Sequence, residues 1–123
     1  MEKKKLPPLQ VDVKQVKPLV FGQEYESRMI LDHVITGRDD VIQINHGTVK
    51  AGYALGGAAH EEDEIYYILS GKGKLQLNDE IIEIAEGQVI FIPAGCFHAL
   101  DNRESDEDMC ILTFWRDWRF NDA

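Results

Sequence analysis

From Asp39 onward, short runs rich in Val, Ile, Leu and Tyr alternate with turn residues, the mark of an all-β sandwich or barrel. The runs predict strands at Val41–Ile44, Thr48–Ala54, Glu64–Ser70, Gly73–Leu77, Glu80–Ile84, Val89–Ile92, Cys96–Leu100 and Met109–Trp115. Asn78-Asp79, between two of them, is a hairpin signal, weaker than Asn-Gly because Glu80 follows. No helical periodicity of useful length separates the later strands, which excludes βαβ units. Short strands at this density predict a jelly roll or small barrel with a ligand-sized interior. Upstream the signal weakens. Residues 1–10 are rich in Lys and Pro and read as a loose arm or an added edge strand. Val11 to Ile35 is ambiguous: Gly22 and Pro7-Pro8 oppose long helices, while Arg28 to Leu31 suits a strand. The chain thus divides into an arm with edge strands over 1–38 and a β-rich body over 39–123, one domain overall.

Size and charge narrow the function classes. With 123 residues and 14.0 kDa there is room for one core, and 44% hydrophobic residues are too many for a disordered chain. Thirteen basic against 22 acidic residues give a net charge of -9, a field that repels phosphate backbones and argues against nucleic acid. No run approaches the roughly 18 apolar residues of a membrane span, so no membrane partner is expected. The opening MEKKKLPPLQ has positive charge but no apolar stretch behind it, unlike a secretory signal. Cys96 and Cys110 do not make a disulfide framework, so a cytoplasmic location is the default expectation.

Two acidic clusters interrupt the strands. Asp101 to Asp108 reads as a solvated loop. Glu61 to Glu64 lies beside His60, which changes its meaning. If that segment is extended, His60, Glu62, Glu64 and Tyr66 share a face, and acids facing an apolar interior need a counter-charge. A divalent cation supplies it, since imidazole nitrogen and carboxylate oxygen are natural ligands. By itself His-x3-Glu also fits an exposed loop rim. Gly87, Pro93, Gly95, His98 and Asn102 form a more specific constellation, G-x5-P-x-G-x2-H-x3-N. Here Gly87 turns the chain into a strand, Pro93 and Gly95 end it, and His98 starts the next.

Together these residues resemble the cupin superfamily, in its small single-domain form. The segment GYALGGAAHEEDEIYYILSG places Gly52, His60, Glu64 and Gly71 on the family's first motif, G-x5-H-x-H-x3,4-E-x6-G. GQVIFIPAGCFHALDN matches the second in full. The resemblance covers about Val41 to Trp115 and implies an all-β, antiparallel jelly-roll barrel (double-stranded β-helix) with an N-terminal extension. It carries over three metal ligands, His60, Glu64 and His98, and one departure: the family's first histidine falls at Ala58, which binds no metal. The implied cofactor is a divalent transition metal (Fe, Mn, Zn, Ni or Cu), held with open coordination positions. The implied function is a metal-dependent enzyme on a small molecule, an oxygenase acting on a small polar metabolite being the preferred form. Sugar isomerase, epimerase or lyase chemistry with the metal as Lewis acid is an alternative. A non-catalytic binding or sensing module is another. Glu64 is the candidate catalytic base.

Ala58, Tyr53, Tyr66, Cys96 and Asn102 are expected around the substrate pocket. Only one of Tyr66 and Tyr67 can face inward on a strand. Cys96 also reads as a small buried hydrophobe, and His33 and His46 as structural or exposed histidines. Phe114, Trp115, Trp118 and Phe120 read as packing or a subunit interface. The arm and this aromatic tail suit the covering of sheet edges in a homodimer.

Overall fold

The computed structural model describes residues 5–116; Trp118 and Phe120 lie outside the described residues. Among the described residues, nine strands form two antiparallel sheets. β1 (Leu19–Phe21), β2 (Tyr25–Leu31), β3 (Gln43–Val49), β4 (Glu64–Ser70), β7 (Val89–Ile92) and β9 (Met109–Trp115) make the larger, in the order β1-β2-β3-β9-β4-β7. β5 (Lys72–Leu77), β6 (Glu80–Ala85) and β8 (His98–Asp101) make the smaller, in the order β6-β5-β8. This is the all-β, antiparallel jelly-roll architecture. Among the described residues, helix is confined to a 3-10 turn at Val13–Gln15 and a single turn, α1, at His33–Thr36, and no helix is long and apolar enough to cross a membrane.

Strands β4, β7 and β9 fall on their predicted spans, and β5, β6 and β8 shift by up to two residues at an end. One prediction is corrected. The runs Val41–Ile44 and Thr48–Ala54 are a single strand, β3, followed by a turn at Ala51-Gly52. Asn45-His46-Gly47 looks like a break, but these residues pair with β2 on one side and β9 on the other, Gly47 opposite both Ser27 and Ile111. The N-terminal third contributes β1 and β2 to this sheet, and the Asn78 turn takes the left-handed backbone its hairpin needs, with φ 53°.

The inward positions of the large sheet change character along their strands. On β9, Met109 is fully buried and Ile111 nearly so, while Thr113 and Trp115 border a cavity. β3 runs from buried Val49 to cavity-lining Gly47 and Asn45, and β4 from buried Ile68 to cavity-lining Tyr66 and Glu64. One end of the sandwich is therefore closed by packed apolar side chains, Leu75 and Ile84 among them. The other end holds a cavity of about 500 Å³.

Candidate metal centre

The two motifs are distant in sequence and are joined by backbone. Ala58 and His98 form an antiparallel bridge, each N–H donating to the other's carbonyl at 3.1 and 3.0 Å. The Gly95 N–H donates to His60 O at 2.7 Å, and the Ala94 N–H donates to Asp63 Oδ1 at 2.8 Å. On the far side, Asn78 holds the residue before His98. Its N–H donates to Phe97 O at 2.8 Å, and its Oδ1 accepts from Phe97 N–H at 3.0 Å.

Within this frame His60, Glu64 and His98 come together, with one potential ligand atom from each lying within 4.8 Å of the others. Glu64 Oε1 is 2.5 Å from His60 Nε2 and 3.3 Å from His98 Nε2. The two imidazoles meet edge to face, 4.9 Å between centroids. Each ring is oriented through its other nitrogen: His60 Nδ1 lies 3.1 Å from Glu62 O, and His98 Nδ1 lies 3.0 Å from Cys96 O. A carbonyl oxygen only accepts, so each Nδ1 carries the proton and each Nε2 presents a lone pair to the centre.

With both imidazoles neutral, three acceptor atoms thus face one another, and buried Glu64 Oε1 is left without a hydrogen-bond donor. Such a group is costly unless a proton or a cation sits among the three. The proton solution is visible in His98, whose pKa is pushed up by its hydrogen bond to Glu64, with the Cys96 carbonyl adding and desolvation opposing. The cation solution needs only that the proton leave. Two nitrogens and a carboxylate oxygen fit a divalent transition metal with further coordination positions open. His60, Glu64 and His98 are therefore a donor set chemically suited to the group the sequence implies.

Of the residues expected around the pocket, Tyr66 lines the cavity, its ring edge-on to His98 at 6.2 Å, while Tyr67 is exposed on the other face of β4. Burial, and then the charge of Glu64, push the Tyr66 phenol's pKa up, so it stays neutral. The other four are placed elsewhere. Tyr53 is exposed on the turn after β3 and donates its hydroxyl to Gln23 Oε1 at 2.8 Å. Cys96 belongs to the apolar core, and its carbonyl, not its thiol, serves the site. Asn102 is 1% exposed and donates from Nδ2 to Val49 O and Glu107 O, holding β3 against the acidic loop. Ala58 is exposed and acts through its backbone bridge to His98. His46 lies between cavity-lining Asn45 and Gly47 on β3, so alternation turns it to the outer face; His33 is exposed on α1.

Sequence reasoning did not find the cavity's other wall. Tyr25, Ser27 and Met29 of β2 line it together with Asn45. The Ser27 hydroxyl bonds Asn45 Oδ1, and Asn45 Nδ2 donates to the Tyr25 hydroxyl at 3.1 Å. Alternation of the inward residues on β2 is the only local signal for this wall.

Among solved structures, a predicted oxalate decarboxylase from Thermotoga maritima is similar with a TM-score of 0.77 and 23% identity, covering 88% of this chain and 98% of that one. The polyketide cyclase RemF from Streptomyces resistomycificus is similar with a TM-score of 0.74 and 22% identity, over 89% and 78% of the two chains. At these identities the likeness is one of fold. An uncharacterized protein of Streptomyces coelicolor is 32% identical over 53 residues, 43% of this chain and 49% of that protein. One of Methanocaldococcus jannaschii is 40% identical over 43 residues, 35% and 34% of the two chains. The match thus spans about half or less of each of these relatives. The family model described as a cupin domain matches residues 45–115, more than half of the chain and all three converging ligands, and the chain belongs to that family.

Proposed function

We propose that this chain is a metal-dependent enzyme acting on a small molecule held in the cavity beside His60, Glu64 and His98. The observation that carries this reading is the convergence of His60 Nε2 and His98 Nε2 on buried Glu64 Oε1. A divalent transition metal bound there would supply Lewis-acid polarisation of a substrate oxygen or, if redox-active, dioxygen chemistry. The chain's own residues do the rest. The Glu62 and Cys96 carbonyls keep both imidazoles in the Nδ1–H form and aimed. Glu64, at the start of β4 and facing the cavity, is placed to take up a proton at its carboxylate and return it. The donor set of two imidazoles and one carboxylate supports an oxygen-dependent reaction; an isomerase or lyase would use the same residues for polarisation alone. Free Cys96 and Cys110 support residence in a reducing cytoplasm.

Elemental analysis of protein purified without chelators or a histidine tag tests the centre. Stoichiometric transition metal is expected, and His98→Ala should lose both metal and turnover while remaining folded by circular dichroism. Metal-free protein that turns nothing over, yet holds a small molecule tightly, would overturn the enzyme reading in favour of a binding module.

A further inference from the structure

The cavity's walls say more about its occupant than the metal ligands do. Among the described lining residues none is Lys or Arg, and the titratable side chains beside His60 and the tyrosines are the carboxylates Glu62 and Glu64. A polyanion placed here would face two carboxylates and apolar walls with at most one metal ion to neutralise it, an arrangement that desolvation makes costly. The volume of about 500 Å³ lies within the range of sites that take drug-sized ligands and far exceeds a two-carbon acid. Phe21, Tyr25, Tyr66 and Trp115 give the cavity aromatic surfaces, with Leu55 and Ile111 between.

Two hydroxyls interrupt this apolar lining. The Tyr25 oxygen accepts from Asn45 Nδ2 and is also hydrogen-bonded to Ser27, whose own hydroxyl is tied to Asn45, so the Tyr25 hydroxyl is already partnered within the wall. The Tyr66 hydroxyl has no hydrogen-bond partner among the described residues, although the residue is only 6% exposed. Gly47 makes room for the first of these rings: a Cβ built there would overlap the Tyr25 hydroxyl and lie 3.0 Å from its Cε1. The wall therefore presents one free O–H donor, that of Tyr66, with no Lys or Arg beside it, to whatever the cavity encloses.

We propose that the cavity takes a mainly apolar, ring-bearing molecule without a polyanionic group, and that Tyr66 is a positioning residue donating a hydrogen bond to its carbonyl or ether oxygen. This deepens the reading of the site as a metal centre and shares it for the oxygen atoms that meet the metal. The walls argue separately from it.

Calorimetric titration of the metal-free and Zn(II)-loaded protein tests both parts, with an uncharged ortho-hydroxyacetonaphthone as the ring-bearing probe and malonate and citrate as the polyanionic ones. The ketone should bind both forms, more tightly with zinc, and should bind more tightly than either acid. Tyr66→Phe should weaken it about two- to tenfold, the worth of one hydrogen bond. Naphthalene, which lacks the oxygens, should bind this variant as it binds the parent, a result that a merely structural tyrosine would not give. Tighter binding of malonate or citrate than of the ketone, or ketone affinity unchanged in Tyr66→Phe, overturns the proposal. If zinc fails to load while the metal-free protein still binds the ketone in a tyrosine-dependent way, the metal reading fails and this one stands.

Discussion

At His98 a proton and the proposed metal ion would compete for the same lone pair, and the competition has a sign. Its folded pKa lies above the unfolded value of about 6.5, raised first by the hydrogen bond to Glu64. Protonated His98 therefore stabilises the metal-free protein fully below about pH 6.5, and that contribution is lost as pH rises through the folded pKa. Metal works the other way, because both imidazoles must be neutral to ligate. In chelator the melting temperature should fall as pH is raised from 6.5 through the folded pKa of His98. The extra stability conferred by added zinc should grow over the same interval. Thermal melts in the two buffers check both slopes; parallel slopes would show that His98 is not the shared group.

The elements that deliver these residues depend on a few backbone positions, and Gly71 between β4 and β5 is the most exacting. Its φ is 84°, and an added Cβ would lie 2.6 Å from Asp108 O, at the entry to β9. Left-handed strain and a backbone clash act together, so Gly71→Ala should destabilise by about 1–3 kcal/mol or more in urea unfolding. This position was legible in the sequence because it sits at a fixed spacing from His60 and Glu64, as Pro93, Gly95 and His98 do from Gly87. Such motifs are local: each residue turns or terminates its own strand. What could not be read was non-local. Gly47 looks like a chain break and instead makes space for a ring on the neighbouring strand. The Ser27–Asn45–Tyr25 chain exists only because β2 pairs with β3 in one register. Asn102 was legible as a motif residue but not in its job, since its partners Val49 and Glu107 carry no signal as carbonyls.

At the scale of the whole molecule, the outer face of the large sheet at β4 and β7 is left uncovered by the described residues. Cross-strand pairs Ile65–Phe91 and Tyr67–Val89 leave these four side chains 40%, 58%, 39% and 62% exposed, on β4 and the edge strand β7. Neighbouring outward positions Leu112 and Phe114 are also uncharged. Two copies of a chain carrying -9 repel each other except where they meet through such a face. We propose that a second copy covers it. Sedimentation should report a dimer at micromolar concentration, and Phe91→Lys with Ile65→Lys should give a folded monomer; a monomeric parent protein would refute the arrangement.

The Ala58–His98 bridge bears on how such a centre changes over time. Because the main chain at position 58 is already tied to His98 directly across the bridge, and Ala58 is an exposed residue, a third imidazole can be grafted there without rebuilding a strand. Ala58→His should tighten zinc binding, as a competition titration against a chromogenic chelator would show, and leave the fold's stability in chelator nearly unchanged. The scaffold thereby separates how many donors surround the ion from whether the protein folds, so that reactivity can drift by single substitutions while the architecture stays put.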